Sequence, residues 1–138
     1  MIISTKSGLA IASLPIQYNG KKILLKDVLL DTGCAVTIFD TDAVEPLGLI
    51  PDIKKARLIR MAGIGGKSDY CIQQRSNELT IDGYVFYQFR HQLGSLREKY
   101  GFNAILGNDV LSASGWINWE SLSLPNSSLQ VNGLQIVH

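Results

Sequence analysis

Val28-Leu29-Leu30-Asp31-Thr32-Gly33-Cys34-Ala35-Val36 is the stretch on which the reading of the fold turns. Three consecutive aliphatic residues read as a buried strand, and that strand runs straight into a carboxylate, a hydroxyl and a glycine. A carboxylate at the end of a buried strand is costly unless hydrogen bonds or a functional partner stabilise it. The triplet alone is a weak signal, because average residue frequencies place it by chance in roughly a few per cent of chains of this length. Its value depends on what surrounds it.

On either side the chain alternates short apolar runs with glycine turns. Asn19-Gly20 separates Ile16–Tyr18 from Ile23–Leu25, Asp82-Gly83 separates Leu79–Ile81 from Tyr84–Phe89, and Asn132-Gly133 separates Leu129–Val131 from Leu134–Val137. Such a pair between apolar runs is a strong hairpin signal, since both central residues of a type I′ turn need positive φ. Three of them argue for a mainly antiparallel β domain. Helical signals are short. Asp42 is expected to cap a helix over 43–47, with Glu45 as its capping-box partner and Gly48 as the stop. A turn is expected over 95–100 before Gly101, and Asn108 or Asp109 is expected to cap a short helix that runs through 112–114 to Gly115.

With 138 residues and no repeat or linker, residues 1–138 read as a single domain large enough to bury a core. The formal net charge of +1 supplies no attraction for nucleic acid or an anionic membrane, and the basic pairs Lys21-Lys22 and Lys54-Lys55 read as solvated charges. No apolar run reaches the roughly 18 residues of a membrane span. The first fifteen residues, with Lys6 and an apolar stretch broken by Ser13 and Pro15, read as strand rather than signal peptide. Cys34 and Cys71 lack metal-ligand spacing. One disulfide between them is left open, and a reducing, cytoplasmic location is the simpler expectation. No metal and no cofactor are expected.

Two further segments stand at telling distances from Asp31. Met61-Ala62-Gly63-Ile64-Gly65-Gly66-Lys67 has a backbone free to bend and to let another chain approach. Ala104-Ile105-Leu106-Gly107-Asn108 is a buried strand ending in glycine. The 28–36, 61–67 and 103–111 segments, in this order, resemble the retropepsin-type aspartic proteases, the single-lobe relatives of pepsin. The 103–111 segment is very like its counterpart in bacterial members, and the likeness runs over residues 14–124.

The resemblance implies an all-β, retropepsin-like acid protease barrel, a single lobe with short helices that dimerises. It implies an aspartic endopeptidase in which two carboxylates face one water. One carboxylate is ionised and takes the water's proton; the other is protonated and polarises the scissile carbonyl. Two like charges at such range share a proton and titrate as a unit; aspartic proteases are the standard example of this coupling. Asp31 is the implied catalytic group. Thr32 is expected to brace the loop through its hydroxyl, and Gly33 to let its N–H reach the carboxylate. Ile105, Leu106 and Gly107 support the active loop, with Gly107 permitting close packing beneath it. Ala62, Gly63, Ile64, Gly65 and Gly66 would form a flap that closes over an extended polypeptide bound as an added strand. Val36, Ile38, Met61 and Ile64 are candidates for the pockets that receive its side chains.

Asp-Thr-Gly occurs once, so the second carboxylate must come from a second copy of the chain, on the axis of a symmetric homodimer. The 129–137 hairpin and Ile2-Ile3 are candidates for a dimer sheet, with a plain edge hairpin as the equal alternative. Cys34 reads as a small buried thiol whose pKa a nearby Asp31 would raise. For Asp109, helix capping is preferred over bracing the loop. Trp116 and Trp119 read as packing residues on one strand face, and Arg57, Arg60 and Arg75 as solvated. A phosphate-binding loop at Gly66-Lys67-Ser68 fails because Met61 stands where that motif needs glycine. The alternative function is a catalytically silent retropepsin-fold module that binds polypeptide or a protein partner.

Overall fold

The hairpins expected from the glycine turns organise the computed structural model, which describes residues 1–62, 68–113, 130–131 and 134–137. The strands are β1 (Ile2–Lys6), β2 (Leu9–Tyr18), β3 (Lys21–Leu30), β4 (Ile38–Asp40), β5 (Arg57–Ala62), β6 (Ser68–Ile81), β7 (Tyr84–Gly94), β8 (Ala104–Leu106), β9 (Gln130–Val131) and β10 (Leu134–Val137). The helices are single turns, α1 (Thr41–Val44), α2 (Arg97–Tyr100) and α3 (Asn108–Leu111). Asn19 and Gly20 have φ of 48° and 78°, Asp82 and Gly83 of 49° and 82°, so both turns use the left-handed conformations that their sequences suit. The third pair, Asn132-Gly133, lies outside the described residues, while the strands flanking it pair antiparallel, Leu134 opposite Val131.

The chain is all-β in class. Strand order is β5-β6-β7-β4-β8-β3-β2-β1-β10-β9, and β6 also pairs with β2. That extra pairing, Ile16 opposite Ile81 and Gln17 opposite Thr80, closes the circuit β2-β3-β8-β4-β7-β6 into a barrel. Alternation along the strands gives the barrel two apolar faces. Ala12, Leu14, Ile16, Phe39, Leu79, Ile81 and Leu106 lie in the interior cluster. Ile11, Leu29, Ile105 and Ile38 form a row on the other face, in direct register across β2, β3, β8 and β4.

Strand β8 holds an unusual position. β3 and β4 are consecutive in sequence, yet they do not pair; β8 lies between them, parallel to β3 and antiparallel to β4. The segment 31–37 must therefore bridge over the end of β8. Asn103 secures the other end of the same arrangement. Its N–H donates to Asp27 O, its carbonyl accepts from Asp40 N, and its side-chain amide donates to Lys26 O at 2.8 Å.

The first helix corrects one expectation. Its cap is Asp40, not Asp42: the helix starts at Thr41, and Asp40 stands in extended conformation before it with its carboxylate accepting from Ala43 N. Asp42 is an exposed acid in the first turn. The helix lasts one turn because Pro46 has no N–H to continue it. Glu45–Leu47 tightens into a 3-10 turn, and Gly48, at φ 79°, ends it. The Asp40 carboxylate is buried and also accepts from Leu96 N and Arg97 N, each at 2.9 Å. It thus ties β4, α1 and α2 together, which no local cap rule foresees.

The 129–137 hairpin joins the sheet of its own chain: β10 runs parallel to β1, with Ile3 opposite Ile136 and Ser4 opposite Val137. Among the described residues, no helix is long and apolar enough to cross a membrane.

Two stability measurements test this framework. Asp40→Ala leaves two buried N–H groups and a part-buried one without their acceptor and should cost about 3–5 kcal/mol in urea unfolding. His91 is fully buried beside Phe39 and Phe89, with Nε2 hydrogen-bonded to Ser76 Oγ at 2.8 Å. Burial lowers its pKa from 6.5 to about 4. The unfolded chain therefore takes up this proton before the folded one does. Its contribution to stability is complete above about pH 6.5 and is lost as pH falls towards 4, by about 3 kcal/mol in all. His91→Gln, which keeps a partner for Ser76 and does not titrate, should flatten stability against pH across that window.

Candidate active site

Asp31 sits where β3 leaves the sheet, and its position is set by backbone contacts to β8. The β3–β8 register ends at Leu30 opposite Leu106, and Asp31 N donates to Leu106 O at 3.0 Å. Beyond this point the chain turns: Cys34 N donates to Asp31 O at 3.1 Å. Gly33 N donates to Asp31 Oδ1 at 3.0 Å. A Cβ on Gly33 would stand 3.2 Å from that same oxygen, so a side chain there would crowd the carboxylate that the N–H now meets, in keeping with the glycine's place in the triplet. The Asp31 side chain is half-exposed. Among the described residues it accepts only from Gly33 N, which leaves Oδ2 open to another group.

Gly107 is the seat of the loop. A Cβ there would lie 2.6 Å from Cys34 O, 3.0 Å from Val36 C and 3.2 Å from Asp109 Oδ1, the first two being backbone atoms that cannot swing away. Its φ of −87° suits any residue, so space alone demands the glycine. Next to it, Asn108 N donates to Cys34 O at 2.7 Å. The β8–α3 junction therefore grips the 31–37 loop from beneath. Ile105 and Leu106 are buried on opposite faces of β8, Ile105 in the outer cluster and Leu106 in the interior one.

Two expected roles change hands. Asp109 does not cap α3, whose N-cap is Gly107 with no side-chain bond. Its carboxylate braces the loop instead: Oδ2 accepts from Thr37 N at 3.0 Å and Oδ1 from Thr37 Oγ1 at 2.7 Å. Thr37 Oγ1 in turn accepts from Gly107 N at 3.0 Å. The hydroxyl brace within the chain thus belongs to buried Thr37, whereas the Thr32 hydroxyl has no hydrogen-bond partner among the described residues. Asp109 satisfies three donors at once, Val110 N included at 2.8 Å, which a simple cap could not do. The sequence carries no signal for Thr37, because a threonine before an apolar pair is common in strands.

Cys34 packs half-buried, and its thiol donates to Val36 O at 3.1 Å. Burial pushes its pKa up; the hydrogen bond to Val36 opposes this, and the charges of Asp31 and Asp109 add to the rise. Burial likewise raises that of Cys71. Both cysteines are free and held as thiols, which argues against a thiolate nucleophile.

β5 and β6 form the expected hairpin, in register from Arg57 opposite Gln73 to Ala62 opposite Ser68. β6 pairs with β7 only from Ile72 onward, so the end bearing Ala62 projects as a two-stranded ribbon. Gly63, Ile64, Gly65 and Gly66, the expected flap tip, lie outside the described residues, as do Trp116 and Trp119. Of the suggested pocket residues, Ile38 is buried in the outer cluster and unavailable to a ligand. Val36 lines a cavity of about 300 Å³ with Ala35, Arg75, Phe89 and Arg90. A second cavity, of about 250 Å³, lies against β2 and β3 and is lined by Leu9, Ile11, Asp27, Tyr100 and Phe102.

No family model matches the sequence, and no curated protein matches it.

Gly107→Ala tests the geometry of the site. The added methyl must push the Cys34 and Val36 backbone aside, at a cost of about 1–3 kcal/mol. Loss should appear both in thermal stability and as broadened or shifted amide resonances over residues 31–37, while the Asn19-Gly20 hairpin stays unchanged.

Proposed function

We propose that the chain is a retropepsin-like aspartic endopeptidase that acts as a homodimer. The observation that carries this reading is a half-exposed carboxylate, Asp31, oriented by Gly33 N–H on a loop clamped against Gly107, with its second oxygen accepting from no group among the described residues. A carboxylate so placed is accessible, rigid and incomplete. Alone it can accept a proton from water, but it cannot also donate one to the substrate carbonyl. A second Asp31 across a two-fold axis completes the set.

In the proposed reaction the ionised member of the pair takes a proton from the water held between them, and the water oxygen attacks the peptide carbonyl carbon. The protonated member donates a hydrogen bond to the carbonyl oxygen as it gains charge. A proton then passes to the amide nitrogen, the C–N bond breaks, and one acid and one amine product leave. The Thr32 hydroxyl next to Asp31, without a partner among the described residues, supports an interchain contact, since a half-buried hydroxyl gains from a partner. The ribbon formed by β5 and β6 fits a cover for an extended substrate, and the cavity lined by Leu9, Ile11, Tyr100 and Phe102 fits an apolar side chain of that substrate.

The test is cleavage of a peptide library by the wild type and by Asp31→Asn from acidic to neutral pH, with sedimentation run alongside. The wild type should cut as a dimer with a bell-shaped pH profile, and the variant should lose activity by at least about a thousandfold. Full activity from a strict monomer would refute the shared site. A stable dimer that cuts nothing would favour the non-catalytic binding module.

A further inference from the structure

The outer face of the β5–β6–β7 sheet carries a concentration of positive charge that the near-neutral composition conceals. Lys55, Arg57, Arg75 and Arg90 line one groove of about 370 Å³, interleaved with the amide side chains of Asn77 and Gln88. Among the described residues, no carboxylate lines that groove and none of the four cations forms an ion pair. Arg75 and Arg90 are directly opposite one another on β6 and β7, an arrangement in which like charges repel. Arg75 is held there by its Nη1, which donates to Gln88 O at 3.0 Å. Repulsion that is built in and left uncompensated is relieved by an anion.

The groove adjoins a cavity beside the active loop. Arg75 and Arg90 also line the cavity that contains Ala35 and Val36, and the chain from Asp31 to Val36 reaches at most about 18 Å. An extended peptide covers that distance in about five or six residues. Asp109, a carboxylate lining that cavity, accepts from Thr37 and Val110 and forms no ion pair with the arginines among the described residues.

We infer that this groove recognises acidic side chains of the polypeptide substrate, within about six residues of the scissile bond, through Arg75 and Arg90 assisted by Arg57 and Lys55. The inference rests on the hydrolytic reading above and adds the substrate class to it. A short acidic segment suits the groove better than a nucleic acid. With thirteen basic and twelve acidic residues the chain has no broad positive field to hold a phosphate backbone, and the cations are confined to one patch. The amides between them are suited to donating hydrogen bonds to carboxylates.

Binding and cleavage test the idea separately. On the Asp31→Asn protein, a fluorescein-labelled peptide of about fourteen residues with an apolar centre and glutamates five and six residues from it should bind about tenfold more tightly than its glutamine counterpart at low salt. The preference should shrink as salt rises. In Arg75→Gln/Arg90→Gln it should fall towards one, in binding and in the wild-type-background ratio of kcat/KM for the two peptides. Circular dichroism checks that the doubly substituted protein is folded, and the single substitutions serve if it is not. Equal binding of the two peptides, or a preference that survives both substitutions, overturns the inference while leaving hydrolysis intact. Tighter binding of a single-stranded oligonucleotide of equal charge also overturns it. Arginine-dependent binding without cleavage of any peptide by the wild type upholds the groove and refutes the hydrolytic reading.

Discussion

The 31–37 loop can lie where it does because it passes Gly107 so closely that no side chain fits between them. Cys34 O sits 2.6 Å from where a Cβ would be, and the space is used for hydrogen bonds: Asn108 N to Cys34 O, and Gly107 N to Thr37 Oγ1. Once the loop is seated, Asp109 can reach both the N–H and the hydroxyl of Thr37. The loop is then fastened at its start by Leu106, in the middle by Asn108, and at its end by Asp109, which holds Thr37. A carboxylate on such a loop has little freedom, which is what positioned acid–base chemistry needs.

The seat exists only because β8 is inserted between β3 and β4. Residues 104–106 follow Asp31 by more than seventy positions, yet they complete the sheet on which Asp31 stands. Closure of the barrel by β6 and β2 holds that insertion in place, and the row Ile11, Leu29, Ile105 and Ile38 packs it from the outer face. Loop, apolar cavity and cationic groove are thus consequences of one topology. In the proposed enzyme the lobe builds a rigid half-site and leaves the pairing of carboxylates to a second copy. Proton sharing between like charges then becomes a property of the assembly rather than of the chain.

Local signals were read well where the physics is local. Asn19-Gly20 and Asp82-Gly83 announce hairpins because two adjacent residues must both take positive φ, and few other pairs do so at low cost. Gly33 and Gly107 could be singled out because each stands within or beside a short motif. The aspartates were harder. Asp42 and Asp109 look like caps from their neighbours, but buried Asp40 collects donors from Ala43, Leu96 and Arg97, and Asp109 collects them from Thr37, seventy-two positions away. A buried carboxylate is satisfied by whatever N–H groups the fold delivers, and most of these are not its sequence neighbours. Arg57 and Arg75 are exposed, as isolated arginines in strands are expected to be, but their shared groove with Arg90 follows from strand register.

By itself the sequence determined the β class, the two described tight turns, the stretch where a strand-end carboxylate would stand, and the glycine that lets its own loop turn back on it. These follow from φ preferences, alternation and the cost of burying charge, all of which act within a few residues. Tertiary structure alone decided that β8 enters between β3 and β4, that Thr37 and Asp109 rather than Thr32 brace the loop inside the chain, and that four scattered cations line one groove. Each of these depends on which distant strands become neighbours, and register between strands is set by burial of whole faces rather than by any local residue preference.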